Sequence, residues 1–390
     1  MNLQKYDRRG VSASKDEIHK AITSLDKGLY PNAFCKILPD IAGGNNEFVN
    51  IMHADTAGTK TSLAYIYWRE TGDLSVWQNI VQDAIVMNVD DMACVGVTDN
   101  IIISSTIGRN KHLIPQDVIS KVINAPQVFI ERMKEYDSNL VLAGGETADV
   151  GDIVRTIDVG ITAFARIKKE DLIINNIQGG DVIVGMASFG KASYEDNYNS
   201  GMGSNGLSSA RHDIFSSEYR KKYPESYAPE TDIDLIYSGT KSLTDKINIA
   251  NTEMDLGKFV LSPTRTYLPV LNEVFRSVKK HINGIIHCTG GGQTKVMNFV
   301  QNKKIIKDSL FPTPELFKII QNESKTAWKE MYKVFNMGHR LEIYLPEKYA
   351  KNIIEIANSF NVEAKIIGRV ENSAKNELII DTENGKIVYS

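Results

Sequence analysis

Apolar and polar positions fall into blocks along the chain, and the period changes from one block to the next. Residues Phe48 to Ala54 (FVNIMHA) make a short apolar-rich run of the kind a buried strand shows. From Leu74 to Val97 the spacing becomes helical, with Trp77, Ile80, Val81, Ala84, Asn88, Asp91 and Val95 recurring at intervals of three and four. Two polar residues therefore lie on an inward stripe, where a desolvated carboxylate costs several kcal/mol unless something pairs it. Either Asn88 and Asp91 have partners, or the stripe ends there in a capped or solvated helix terminus.

After the strand-like Asn100 to Ser105, Pro115 opens a second helical pattern through Ile119, Val122, Ile123, Phe129, Ile130 and Met133, which Pro126 is expected to kink or divide. Leu140 to Val150 (LVLAGGETADV) is an apolar run ending in a Gly-Gly pair and acids, and Ile157 to Ile167 is again β-rich. The charged stretch Lys168 to Asp171 and the Gly179-Gly180-Asp181 turn precede a fresh apolar strand, Val182 to Met186. That punctuation predicts two domains, 1–173 and 174–390.

The second half opens with a polar segment, Ala192 to Asp245, predicted as loop and short helices. A helical pattern follows from Arg265 to Val278, then a strand from Ile282 to Cys288, then Thr289-Gly290-Gly291-Gly292 leading into a short helix, Thr294 to Val300. A glycine turn feeding a helix N-terminus offers backbone N–H groups to an anion. Arg340 to Leu345, Ala350 to Ala357 and Ala364 to Val370 alternate strand, helix and strand, with a hairpin expected around Glu383-Asn384-Gly385. The whole reads as an α/β (α+β) protein.

Composition narrows the function classes. In 390 residues, 45 basic and 48 acidic side chains leave a net charge of −3 without blocks of like charge, which points away from nucleic acid and membrane surfaces. Cys35, Cys94 and Cys288 are far apart and read as reduced thiols of a cytoplasmic protein. Met1 to Gly10 lacks the apolar core of an export signal, and no apolar stretch nears the roughly 20 residues of a membrane helix.

The candidate chemistry sits in four turns: Asp55 to Lys60, Asp90-Asp91, Gly144 to Asp149 and Thr289 to Gly292. The first, in HADTAGTKTSL, is not a P-loop, because Thr59 separates Gly58 from Lys60. Carboxylates from separate elements, Asp55, Asp90, Asp91 and Glu146, suit magnesium, which takes oxygen ligands and shares them with phosphates. Lys60 would neutralise a phosphate as a point charge. Rival sites lack support. No H-E-x-x-H is present, His287 and Cys288 alternate to opposite faces of a strand, and Gly203-Ser204-Asn205-Gly206 lacks the nucleophile-elbow spacing. Cys35, flanked by Phe34 and Ile37, reads as packing rather than as a reactive thiol beside Lys36.

The order of Asp55-x-x-Gly-Thr-Lys60, Asn88-x-Asp-Asp91, Gly144-Gly-Glu-Thr-Ala-Asp149, Ser204-Asn-Gly206, Pro263-Thr-Arg265, His287-x-Thr-Gly-Gly-Gly292 and Glu330-Met-Tyr-x-x-Phe-Asn-Met-Gly338 resembles aminoimidazole ribonucleotide synthetases, also called phosphoribosylformylglycinamidine cyclo-ligases. The likeness spans nearly the whole chain. It implies a cytoplasmic homodimer whose N-terminal sheets pair into a barrel. The activity implied is closure of formylglycinamidine ribonucleotide to aminoimidazole ribonucleotide with ATP and Mg2+, in purine synthesis. It further implies catalytic roles for Lys60, Asp91 and Glu146, and magnesium on Asp55, Asp90, Asp91 and Glu146. Nucleotide and substrate contacts would fall to Asp55, Gly58, Thr59, Lys60, Gly144, Gly145, Thr147, Ser204, Asn205, Gly206, Thr289, Gly290, Gly291 and Gly292. A related phosphotransferase, such as a thiamine-monophosphate kinase, and a non-catalytic nucleotide-binding homologue are the alternatives. Departures from the family pattern are Thr56-Ala57 for Gly-Val, Asp90 for asparagine, an insertion from about Ala192 to Met202, and Gly203 for a histidine that His212 or an insertion residue would replace.

Overall fold

In the computed structural model, which describes residues 5–11, 21 and 24–390, the helical stripe folds as α2 (Ser75–Ala93). Before it come β1 (Ile37–Pro39), β2 (Phe48–Thr56) and α1 (Lys60–Thr71), the last starting directly after the Gly-Thr step. Trp77, Ile80, Ala84 and Val95 are fully buried. So is Asn88, and Asp91 is nearly so, which makes the stripe continuous through its polar members.

α2 packs on a five-stranded sheet of order β1-β2-β5-β3-β4, completed by β3 (Ile101–Arg109), β4 (Leu140–Asp149) and β5 (Ile157–Lys168). Only β3 and β4 pair in parallel, joined through α3 (Gln116–Lys134). Pro126 does not divide α3. Val122, Ala125, Pro126, Phe129 and Ile130 all lie on its buried face, so packing on both sides of the proline holds the helix across the missing N–H.

The expected turn from Gly144 to Asp149 is instead the second half of β4. It continues the ladder with β3 beyond a register shift between Ile103 and Ser105, where Gly144 adopts φ +95. At Gly145 a Cβ would lie 2.2 Å from the Ser105 carbonyl oxygen, so glycine permits a close strand approach rather than a turn. The sheet's other face has no covering layer among the described residues. Met52, Phe164, Ile102 and Val141 lie in one cross-strand row there, with Met52 61% and Val141 59% exposed.

The second sheet takes its strands from the rest of the chain, in the order β14-β13-β10-β12-β6-β11-β9. Its centre is β6 (Asp181–Ala187), buried along its length, between β11 (His339–Pro346) and β12 (Ala364–Asn372). Beyond β11 lies β9 (Gly284–His287); beyond β12 lie β10 (Lys303–Lys307), β13 (Glu377–Thr382) and β14 (Gly385–Tyr389), the last two being the expected hairpin. The polar segment after β6 is loop with short helices, among them α4 (Leu207–Ile214), and a separate hairpin of β7 (Lys246–Ile249) and β8 (Thr252–Asp255) follows. Then α5 (Leu268–Val278) packs beside α8 (Ala350–Ser359), after α6 (Glu315–Ser324) and α7 (Trp328–Val334). No helix among the described residues is long and apolar enough to cross a membrane. The reading of Met1 to Gly10 lies partly outside the described residues.

Candidate functional site

Strand alternation puts His53 and Asp55 of β2 on the same, helix-facing side of the first sheet, and α2 brings Asn88 and Asp91 to them one turn apart. From the second sheet, the end of β9 delivers His287. Asp91 Oδ1 lies 2.7 Å from His287 Nδ1, and its Oδ2 lies 3.3 Å from His53 Nε2. Asn88 donates its amide to the carbonyls of Ala84 and Ile161, at 2.8 and 3.0 Å, which leaves its oxygen to accept from His53 Nδ1 at 2.9 Å. Both nitrogens of His53 thus face acceptors. Burial pulls its pKa down, but the Asp91 carboxylate outweighs that and raises it. Burial alone would raise Asp91, yet the two imidazoles hold it well below the usual carboxylate range.

Asp55 and Asp91 open into a cleft of about 710 Å³ whose opposite wall is Thr289, Gly290 and Gly291, with Asn205, Lys295 and Lys333 at its sides. The glycine turn is fixed by sterics: Gly291 and Gly292 have φ +98 and +51, and a Cβ on Gly292 would sit 2.7 Å from the Phe335 carbonyl oxygen. Gly292–Phe299 follows as 3-10 turns. Beneath it, the fully buried Lys307 ammonium donates to both oxygens of Gln293 at 2.9 Å and pairs with Glu342 at 2.5 Å. Glu342 also accepts from Tyr344 at 2.6 Å and meets His339 Nε2 at 2.9 Å. Cys288, His339 and Glu342 come within 4.8 Å of one another, the spacing of a metal trio. The Lys307 ammonium already neutralises Glu342, so a second cation does not fit there.

Several residues marked by the sequence lie elsewhere. Lys60 is fully buried, with Nζ 2.9 Å from Asp83 Oδ1 and 2.6 Å from the Ser262 carbonyl, so it ties α1 to α2 and the second half and does not line the cleft. Asp90 faces away from the cleft. It accepts from the Thr266 hydroxyl at 2.6 Å and the Tyr267 N–H at 3.1 Å, and burial pushes its pKa up to about 6. Gly144, Gly145, Glu146 and Thr147 belong to the exposed edge strand β4. Glu146 shares a cross-strand row with Thr56, three strands and about 14 Å away. The four acids therefore do not converge within one chain.

Around the opening loop, Thr56 accepts the Gly58 N–H at 3.1 Å and Ala57 donates to Val159, which stiffens the turn. Thr59 meets Ser208 at 2.6 Å. Gly206 is pressed against Phe335, whose ring would lie 2.4 Å from a Cβ. Among the described residues, Ser204 Oγ is buried without a partner. His212 does not serve the cleft: it is buried, accepts from the Tyr237 N–H at 3.2 Å, and burial drives its pKa far below the usual imidazole range. The insertion borders a separate cavity of about 360 Å³, where Glu195 pairs with Arg265. Cys35, Cys94 and Cys288 are free and buried, and burial raises all three thiols.

The sequence reading missed His53, Lys295 and Lys333. His53 was legible from the period of two that it shares with Asp55. Neither lysine forms an ion pair among the described residues, and one follows the glycine turn while the other lies inside the Glu330 to Gly338 stretch.

Two family models match the chain, AIR synthase related protein, N-terminal domain, over residues 40–167 and its C-terminal domain over 178–381. The chain is 31% identical over 329 residues to a phosphoribosylformylglycinamidine cyclo-ligase of Methanocaldococcus jannaschii, covering 84% of this chain and 79% of that one. Among solved structures, a chain of a HypE–HypF complex matches with a TM-score of 0.55 at 14% identity, over 96% of this chain and 98% of that one. T. maritima PurL complexed with ADP matches with a TM-score of 0.54 at 11% identity, over 99% of this chain and 49% of that one. At those identities the structures speak to fold alone.

Proposed function

The chain belongs to the AIR synthase related protein family, and from that premise we propose that it is a phosphoribosylformylglycinamidine cyclo-ligase of purine biosynthesis. The observation that supports this most is the cleft in which Asp55 and the imidazole-clamped Asp91 face the Thr289–Gly291 turn, flanked by Lys295 and Lys333. Acids on one side and anion-binding groups on the other suit a phosphorylated nucleotide brought against a phosphorylated substrate. In the reaction, the γ-phosphoryl group of ATP passes to the formyl oxygen of formylglycinamidine ribonucleotide. The neighbouring amidine nitrogen then attacks the formyl carbon, and that oxygen leaves with the phosphate, so ADP and phosphate accompany the closed ring.

Magnesium would be held by Asp55 and Asp91, since this ion needs only one or two carboxylates when water and phosphates complete its shell. Its chemistry there is neutralisation of phosphate charge. Asp90 does not fit such a role, because it is fully buried and turned away from the cleft toward Thr266 and Tyr267. The glycine turn and the two lysines bind and orient the anionic ends of the reactants, replacing Lys60 in that part. Free buried thiols accord with a cytoplasmic location.

The test is turnover: ADP and phosphate release should require formylglycinamidine ribonucleotide, and thiamine monophosphate should not replace it. No magnesium-dependent turnover of that substrate would end the proposal.

A homodimer completes the reading, formed through the bare sheet face around Met52, Phe164, Ile102 and Val141. Gly144, Gly145, Glu146 and Thr147, on that sheet's outermost strand, belong with this interface rather than with the chain's own cleft. Met52→Asp combined with Val141→Asp is expected to convert a dimer to monomer in sedimentation velocity at micromolar protein. An unchanged sedimentation coefficient would place the interface elsewhere.

A further inference from the structure

We infer that the cavity of about 360 Å³ beside the insertion is a second ligand site, and that it takes a neutral, planar heterocycle of the adenine type. The cavity shares no lining residue with the Asp91 cleft. Asn79, in its wall, and Asp91 stand near opposite ends of α2, about 18 Å apart along the helix axis. Its volume falls within the roughly 300–1,000 Å³ of small-molecule sites. Separate parts of the chain build it. α2 brings Gln78, Asn79 and Gln82 to one side, as helical spacings of three and four allow. Glu195 to Asn199 of the insertion form another wall, and β8 supplies Met254. The insertion departs from the family pattern, yet five successive residues of it line this one cavity. The site is therefore a feature of this chain, and it stands or falls independently of the ring-closing reaction.

The ionised groups around the cavity are matched within the chain. Arg132 meets Asp196 at 2.6 Å, Lys258 meets Asp73 at 2.8 Å, Asp255 meets Lys246 at 2.6 Å, and Glu195 meets Arg265 at 2.6 Å. Glu253, at the exposed rim, adds only further negative charge. An anion would have to displace one of these carboxylates from its cation, so a phosphorylated ligand is disfavoured. The uncommitted hydrogen-bonding capacity is neutral. The side chains of Gln78, Asn79 and Asn197 and the Tyr198 hydroxyl make no hydrogen bond among the described residues. Gln82 spends only its amide nitrogen, on the Thr264 carbonyl at 2.9 Å. A carboxamide sets a donor beside an acceptor, the pairing that reads the amino and ring-nitrogen edge of adenine. Tyr67, Tyr198 and Met254 supply ring faces and a thioether for a flat heterocycle to lie against. Phe259 backs the Tyr198 ring, with centroids 6.4 Å apart and planes 21° from parallel, which holds that platform in place.

Titration calorimetry of the full chain with adenine tests this. Tyr198→Ala is expected to weaken adenine binding by about tenfold or more, and Asn79→Ala by about fivefold. Because the Asn79 side chain has no hydrogen bond to lose, Asn79→Ala should leave Tm unchanged, and it decides alone if Tyr198→Ala fails to fold. Asp91→Asn, which alters the cleft, should leave adenine affinity as in wild type. No adenine binding by wild type at millimolar concentration, or equal affinity in wild type and both cavity variants, overturns the site even where turnover is normal. A loss caused by Asp91→Asn alone would put adenine in the cleft and overturn it too. Adenine binding that depends on Asn79 in a protein without turnover would support the site and reject the cyclo-ligase reaction.

Discussion

Asp91→Asn is expected to lower turnover by about a hundredfold or more while leaving the protein folded. Asp91 faces the cleft and is gripped from both sides, by His287 at 2.7 Å and His53 at 3.3 Å. Asparagine keeps an acceptor for His287 Nδ1 but presents an amide N–H₂ to His53 and removes the negative charge from the cleft floor. The loss therefore falls on the charge-dependent step more than on packing. Phosphoryl transfer depends on positioned charge, and a single misplaced group is costly. Steady-state kinetics with a thermal melt as folding control would check it; full turnover in a folded variant would remove Asp91 from the site.

The second large effect is on stability. Glu342→Ala should reduce the unfolding free energy by about 3–5 kcal/mol, because it leaves the Lys307 ammonium buried without its counter-charge. Both residues are fully buried, and the same carboxylate also accepts from Tyr344. Replacing the two together, with Lys307→Met and Glu342→Leu, should recover much of that loss, as happens when a buried pair is exchanged for apolar volume. Urea denaturation reads both outcomes, and a single variant as stable as wild type would contradict the network. The pH dependence has a defined sign. Burial would raise the Glu342 pKa, but Lys307 and His339 lower it to about 2 in the fold, against 4.5 as its ordinary value. Its contribution is thus present above about 4.5 and lost as pH falls toward 2. Acid unfolding of Glu342→Ala should accordingly be less steep over that range.

Much of this was written in local pattern. The stripe on α2 placed Asn88 and Asp91 inside, and the glycine run after β9 marked a segment that lines the cleft with Asp55 and Asp91. What escaped depended on distant residues. Lys60 reads as a phosphate lysine until Asp83 and the Ser262 carbonyl claim it, and neither is near it in the chain. Gly144-Gly145 reads as a turn because the reason for the glycines, the Ser105 backbone on the adjacent strand, is a neighbour only after pairing. Asp90 and Asp91 look equivalent in sequence, yet adjacent positions on a helix diverge by about 100°, so one meets the cleft and the other the start of α5. Pro126 misled in the opposite direction, since burial on both sides of it outweighed one absent hydrogen bond.

The ties that α1 and α2 make to the second half bear on how the molecule can move. Lys60 to the Ser262 carbonyl, Asp83 to Thr264, Asp90 to Thr266 and Asp91 to His287 form a buried seam of polar contacts between layers that a hinged enzyme would need to separate. Parting that seam would break all of these hydrogen bonds together, although Lys60 would keep Asp83 and Asp91 would keep His53. Lys295 and Lys333, which line the cleft, stand outside that seam. A displacement of one sheet against the other would therefore cost these contacts as a group.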